Sequence, residues 1–189
     1  AMPKIELESV VSNHTKQNVM IKEALCKSSI VEPHYQNSPI TPDKEANECL
    51  SNCYERENAL LTLALLNESI INNAIFDVYE LNIHDKKMVL DKEGISVGDL
   101  PVTQEAKNAY KEWLQVNLDF KASDDVLQHL DNLEERNDLP KVTDFESLYT
   151  NNKEWEEFCI QHNMNPVEVW YQFKNANIMP PQRTQVLAF

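Results

Sequence analysis

Apolar residues crowd one stretch of this chain. From Ala59 to Leu66 they fall on nearly every side of a helix, whereas the flanking segments are apolar on one side only. A helix that is apolar all round is buried all round, so this stretch is expected to be sandwiched by other helices. No Pro or Gly interrupts the chain between Pro42 and Gly94. Thr41-Pro42 reads as a helix start, because threonine caps and proline at the first helical position loses no bonded amide. One helix is therefore expected from Pro42 to about Leu81, about forty residues or roughly 60 Å long. Its far end carries one stripe, Ile71, Ala74, Ile75 and Val78.

The pattern continues in shorter pieces. Asn82, with Asp85 three residues on, caps a second helix through Met88 and Leu90 that stops at Gly94. Gly94 to Pro101 reads as an irregular loop. Thr103 caps a helix through Leu118 with Ala106, Tyr110, Trp113 and Leu114 at helical spacing, and Ser123 caps another through Asn137 with Val126, Leu127, Leu130 and Leu133 inward. Short helices are expected from Thr143 or Asp144 over Phe145 and Leu148, from Asn151-Asn152 over Trp155, Phe158 and Cys159, and from Asn165-Pro166 over Val169, Trp170 and Phe173. A last short segment follows Pro180-Pro181. The three tryptophans (Trp113, Trp155, Trp170) read as core of this C-terminal part.

Before Thr41 the pattern is weaker. Lys4 to Val11 alternates in part, as a short strand or an irregular arm would. Thr15 to Ser28 has helical spacing, with Val19, Met20, Ala24 and Leu25 near one side. Prolines 33, 39 and 42 then break any helix, so residues 29–41 read as an exposed linker. The fold class is all-α: a long central helix packed by shorter helices, with an irregular N-terminal arm. The division is 1–41 (arm and linker), 42–101 (long helix and the next) and 102–189 (small helical bundle).

Composition sharpens this picture. Only Gly94 and Gly98 are glycines, which suits helices better than hairpin-rich sheets. The net charge is −14, and only Arg56, Arg136 and Arg183 are arginines. Direct binding to nucleic acid needs clustered cations, so this surface is expected to avoid DNA and anionic membranes. The four cysteines (26, 49, 53, 159) are too few for a disulfide scaffold and read as reduced thiols. No basic start followed by an apolar block marks a signal peptide. The longest apolar run is about eight residues, short of a bilayer span, and a cytoplasmic location is expected. Ala1 before Met2 reads as an expression scar, and the apolar end Val186 to Phe189 suggests a piece cut from something longer.

Candidate chemistry is sparse. Cys49 and Cys53 share a helix face, but zinc wants four ligands, and small residues at a helix contact are the plainer reading. His14, His34, His84, His129 and His162 form no metal-ligand spacing, and two glycines cannot build a phosphate loop. No catalytic residue, cofactor or metal ligand is assigned. The one charged concentration is acidic: Asp131, Glu134, Glu135, Asp138, Asp144, Glu146, Glu154, Glu156 and Glu157 against Arg136, Lys141 and Lys153. These carboxylates are expected in polar caps and turns. They are candidates for an anionic interaction face offered to a basic protein partner or posing as the phosphates of DNA.

One stretch carries a family-like pattern. Leu66-Asn67-Glu68, Ile75-Phe76-Asp77-Val78-Tyr79-Glu80-Leu81 and His84-Asp85 followed by Met88-Val89-Leu90 stand at the end of the long helix. The region Arg56–Leu90, 35 of the 189 residues, resembles the helical segment near the end of the specificity region in large adenine-specific DNA methyltransferases. These are the single-chain restriction–modification type and the related phage-exclusion enzymes. Glu80 stands where that family usually has glycine, which is expected to let the helix run on. The family binds S-adenosylmethionine through a Gly-rich loop and places adenine with an Asn/Asp-Pro-Pro-aromatic motif. Neither is present, and Asn165-Pro166-Val167 is no substitute. The resemblance implies a non-catalytic helical domain of a larger bacterial DNA-modifying or phage-defence protein, serving target positioning or assembly. Its expected partners are other domains of a longer chain, a separate protein, or a second copy through the long helix.

Overall fold

The computed structural model describes residues 4–28, 32–36, 38, 40–117, 119–137 and 155–176 of the chain, with the side chains of 4–7, 47 and 176 left aside. The architecture is all-α, with a long helix packed by shorter ones. The helices are α1 (Lys4–Ser28), α2 (Ala46–Val78), α3 (Ile83–Glu93), α4 (Gln104–Val116), α5 (Asp124–Asn132), α6 (Trp155–His162) and α7 (Pro166–Ala176), with one 3-10 turn at Val97–Asp99.

α2 is the axis. Ala59, Leu60, Leu63, Leu65 and Leu66 are buried, and Leu61 and Ala64 are half-buried. α1, α5, α6, α7 and the 3-10 turn all pack on α2, so the chain itself covers its apolar middle. By length and composition alone the span Glu48–Val78 would pass for a membrane helix; this packing accounts for its apolarity.

Aromatic side chains tie the C-terminal helices to that axis. Tyr110 of α4 stacks on Trp113 and meets the edge of Trp170 of α7, while Trp155 and Phe158 of α6 both meet Phe173. Buried aromatic N–H and O–H groups need acceptors, and α2 supplies them. Tyr110 OH donates to Ala59 O (2.8 Å), Trp155 Nε1 to Thr62 Oγ1 (3.2 Å) and Trp170 Nε1 to Glu55 O (3.3 Å). Trp155 and Trp170 are core residues, as expected; Trp113 is half-buried against it.

The helix starts at Asn82, Thr103 and Ser123 carry the expected caps: each side chain accepts from an amide in the first turn. Asn165 Oδ1 likewise accepts from Val167 N at 2.9 Å. Four boundaries differ from expectation. Lys4–Ser28 is one helix, where an irregular arm was expected to lead into a helix at Thr15. The reason is tertiary: Ile21 and His14 are buried and Asn18 donates to Ala64 O, so α1 is held along α2. α2 begins at Ala46 after Glu45, because Pro42 to Lys44 form a turn and not a first helical turn. α5 ends at Asn132, because the chain beyond it turns extended and pairs with Val102. α2 ends at Val78, with Glu80 left-handed at φ 52°. The helix expected at Thr143 and the last short segment after Pro180 lie outside the described residues.

Candidate functional site

Five of the nine acidic candidates fall among the described residues, and they occupy three places: the end of α5, the segment after it and the start of α6. Asp131, at the end of α5, is ion-paired with Lys111 of α4. Glu134 and Glu135 are exposed on the segment after α5, whose backbone is bound on both sides of Val102: Val102 N donates to Glu134 O (3.0 Å) and Arg136 N to Val102 O (3.1 Å). Glu156 and Glu157 are exposed in the first turn of α6. Burial raises the Glu68 carboxyl on α2 above its ordinary range, and the Glu156 charge beside it adds to the rise. Asp138, Asp144, Glu146 and Glu154 lie outside the described residues. An exposed or lysine-paired carboxylate has neither the apolar cleft nor the split pair that general acid–base work requires.

The polar groups that do converge are buried and join helices. Glu168 of α7 is fully buried, and its Oε2 accepts from Thr103 N (2.9 Å) and Thr103 Oγ1 (2.7 Å) at the start of α4. A carboxylate there also meets the positive end of the helix dipole. Asn165 Nδ2 donates to Gly98 O (3.2 Å) and Leu100 O (2.7 Å), and His129 Nε2 lies 3.0 Å from Gly98 O. Asp99, beside them, has its carboxyl raised by burial, against the lowering effects of His129, Asn73, Ser96 and Lys86. Gly98 itself is pressed against α2: a Cβ there would meet Ser69 Oγ and lie 2.8 Å from Leu65 O. These contacts seat the 3-10 turn against α2 and α7.

A second joint lies between α1 and α2. His14 is buried, with Nδ1 2.8 Å from Asn67 Oδ1. Asn67 Nδ2 donates to Gln17 Oε1 and Asn18 Oδ1, which leaves Oδ1 to accept from the ring Nδ1, while Nε2 lies 3.4 Å from Asp125 Oδ2. Sequence reading missed this pair and Glu168 alike. Neither carries a local signal, since a buried polar partner fifty or more residues away leaves no spacing to detect.

None of the four cysteines is in a disulfide. Cys49 is buried beside Thr41 Oγ1, and burial drives the Cys159 thiol far up, with Glu156 adding to it, so that thiol stays protonated and inert. Among the described residues no group of three or more His, Cys, Asp or Glu is placed to hold a metal ion.

The end of the family-like stretch is a turn. Glu80 N donates to Asp77 O (3.2 Å) and Leu81 N to Phe76 O (3.1 Å). Those two bonds, with a left-handed residue between helix and exit, make a Schellman closure. The expectation that glutamate at position 80 lets the helix run on is therefore corrected: the two closing bonds hold Glu80 left-handed despite its Cβ. Asn82 then opens α3, in which no residue is buried. No protein-family model, no curated protein and no solved structure matches this chain.

Proposed function

We infer that this chain is a non-catalytic helical module of a larger bacterial DNA-modifying or phage-defence protein, acting in the cytoplasm in target positioning or in the assembly of domains and subunits. The observation that carries this reading is the Arg56–Leu90 stretch. Its pattern resembles the accessory helices of large adenine-specific DNA methyltransferases, and its shape suits assembly: a locked axis, a sharp turn at Glu80, and a helix that projects with nothing buried. A left-handed turn forms at Glu80 although glutamate stands where that family usually has glycine. The test is the natural reading frame that encodes these residues, together with affinity purification from the native cell. A continuous frame or a co-purifying subunit with an S-adenosylmethionine-binding core is expected. A complete frame lacking such a core, in a protein that purifies without one, overturns the reading.

A second reading is an acidic protein-binding module that occupies a basic nucleic-acid site. The exposed Glu134, Glu135, Glu156 and Glu157 on a chain of net charge −14 favour it. It predicts salt-sensitive competition with DNA for a basic nucleic-acid enzyme; no competition at low salt sinks it.

A further inference from the structure

α3 is the element its own chain leaves open. None of its eleven residues is buried, and Ile83 and Met88 are 89% and 53% exposed. A helix of this length is marginal by itself in water. Its own chain meets it on one side, where Lys86 pairs with Asp77 (3.1 Å) and lies over the Phe76 ring, and where Leu90 is half-buried. On the other side Asp85, Met88, Val89 and Lys92 fall at i, i+3, i+4 and i+7, one continuous face, whose end charges have only local partners: Asp85, half-buried, accepts from Asn82 Nδ2 (2.7 Å), and Lys92 pairs with the neighbouring Glu93 (3.5 Å).

The order of charges along that face identifies what fits it. An acid stands at one end, a base at the other, and two apolar residues between. α3 is neutral, with Asp85, Asp91 and Glu93 against Lys86, Lys87 and Lys92, on a chain of net charge −14. It is therefore a place where two copies meet without facing each other's excess negative charge. We propose that α3 is the contact of an antiparallel two-fold pair between two copies of this chain. With the axis between Met88 and Val89, Asp85 of each copy meets Lys92 of the other, about 10 Å from its own Lys92 along the helix. Met88 packs on Val89. A two-fold contact needs a self-complementary patch, and this face is one: reversing its direction exchanges acid for base. The pairing does not require the kinship with DNA-modifying enzymes; it rests on α3 alone.

One helix face per copy is a small interface, so association is weak, with Kd on the order of 0.1 mM. The test is sedimentation equilibrium of the full chain at about 0.15 M salt, where repulsion between copies is screened within about 8 Å. Asp85→Lys sets Lys against Lys twice, Lys92→Asp sets Asp against Asp twice, and each is expected to weaken association at least about ten-fold. An equimolar mixture of these two variants, and the double reversal D85K/K92D, should both return to within about three-fold of the wild type, because opposite charges meet again. Val89→Asp should abolish pairing. The double reversal places a base in the first turn and an acid in the last, which weakens the helix itself, so its recovery cannot come from better helix formation. A wild-type chain that stays monomeric to about 1 mM, association that ignores the single reversals or V89D, or failure of either recovery overturns the proposal.

Discussion

The middle of α2 and its continuation into α3 belong to one stretch of sequence, yet they are held by different forces. The middle is covered by other helices and cross-tied by buried polar groups from residues far along the chain. The continuation is held by local chemistry: the closure at Glu80, the Asn82 cap and the Lys86–Asp77 pair. The difference teaches where stability and where display reside. Cooperative burial makes the axis sensitive to small changes, whereas α3 can vary without unsettling the core.

The largest expected effect lies at the joint of α7 and α4. Glu168→Ala removes the acceptor of Thr103 N and Thr103 Oγ1, and both are buried. Orphaned buried donors together with the void left behind are expected to cost about 2–4 kcal/mol. Glu168→Gln keeps one acceptor oxygen and should cost less. Urea unfolding followed by circular dichroism checks both; a change under about 0.5 kcal/mol for Glu168→Ala would show that Thr103 finds other partners.

Next comes the seat of the 3-10 turn. Gly98→Ala drives a methyl against Ser69 Oγ and the Leu65 carbonyl. Ser69 can rotate, but the Leu65 carbonyl belongs to the α2 backbone and cannot yield cheaply. A loss of about 1–3 kcal/mol is expected. Ser69→Ala in the same chain should recover part of it, whereas Gly94→Ala has no such clash and strains only its left-handed backbone.

What the sequence made legible follows the same division. Asn82, Thr103, Ser123 and Asn165 announce their helices because a cap bonds within three residues. The all-round apolarity of Ala59 to Leu66 announces burial for a similar reason. The elements misread are those decided at a distance. α1 extends back to Lys4 along a partner helix, and α5 stops at Asn132 because the next residues pair with Val102. His14 with Asn67, and Glu168 with Thr103, pair across 53 and 65 residues. The acidic cluster was legible as charge, but its paired and exposed members are sorted only by tertiary contacts such as Lys111 with Asp131.

Glu80 offers a smaller change of opposite sign. Two helix ends share one closure: Glu80 after α2 (φ 52°) and Asn163 after α6 (φ 49°), the latter with Met164 N donating to Cys159 O. Asparagine adopts this conformation at a lower cost than glutamate. Glu80→Gly is expected to stabilise the chain, or at least the α2–α3 turn, by about 1 kcal/mol. Asn163→Gly should gain distinctly less. Amide exchange at Leu81 and Asn82 reads the local effect even if α3 frays without global unfolding. Equal gains at both sites would mean the side chain at the left-handed position is irrelevant.

The smallest effect sits at the boundary between the two regions. Glu68 lies on α2 just past its covered middle, where burial and the nearby Glu156 raise its carboxyl above the ordinary 4.5. A carboxyl raised by folding binds its proton more tightly in the folded chain. Its contribution to stability is therefore present in full below the unfolded pKa and is lost as pH rises through the folded one. Wild-type stability should fall, on this account, as pH increases from about 4.5 upward. Glu68→Gln should flatten that fall, and Glu156→Gln should flatten part of it by removing the charge that adds to the shift. The flattening is modest, because the burial of Glu68 is partial and solvent still reaches its side chain and screens it. Urea midpoints at pH 4 and pH 7 for the three proteins decide the matter. A Glu68→Gln profile as steep as the wild type would place the fall with rising pH at Asp99, whose raised carboxyl has the same sign and lies at the 3-10 turn.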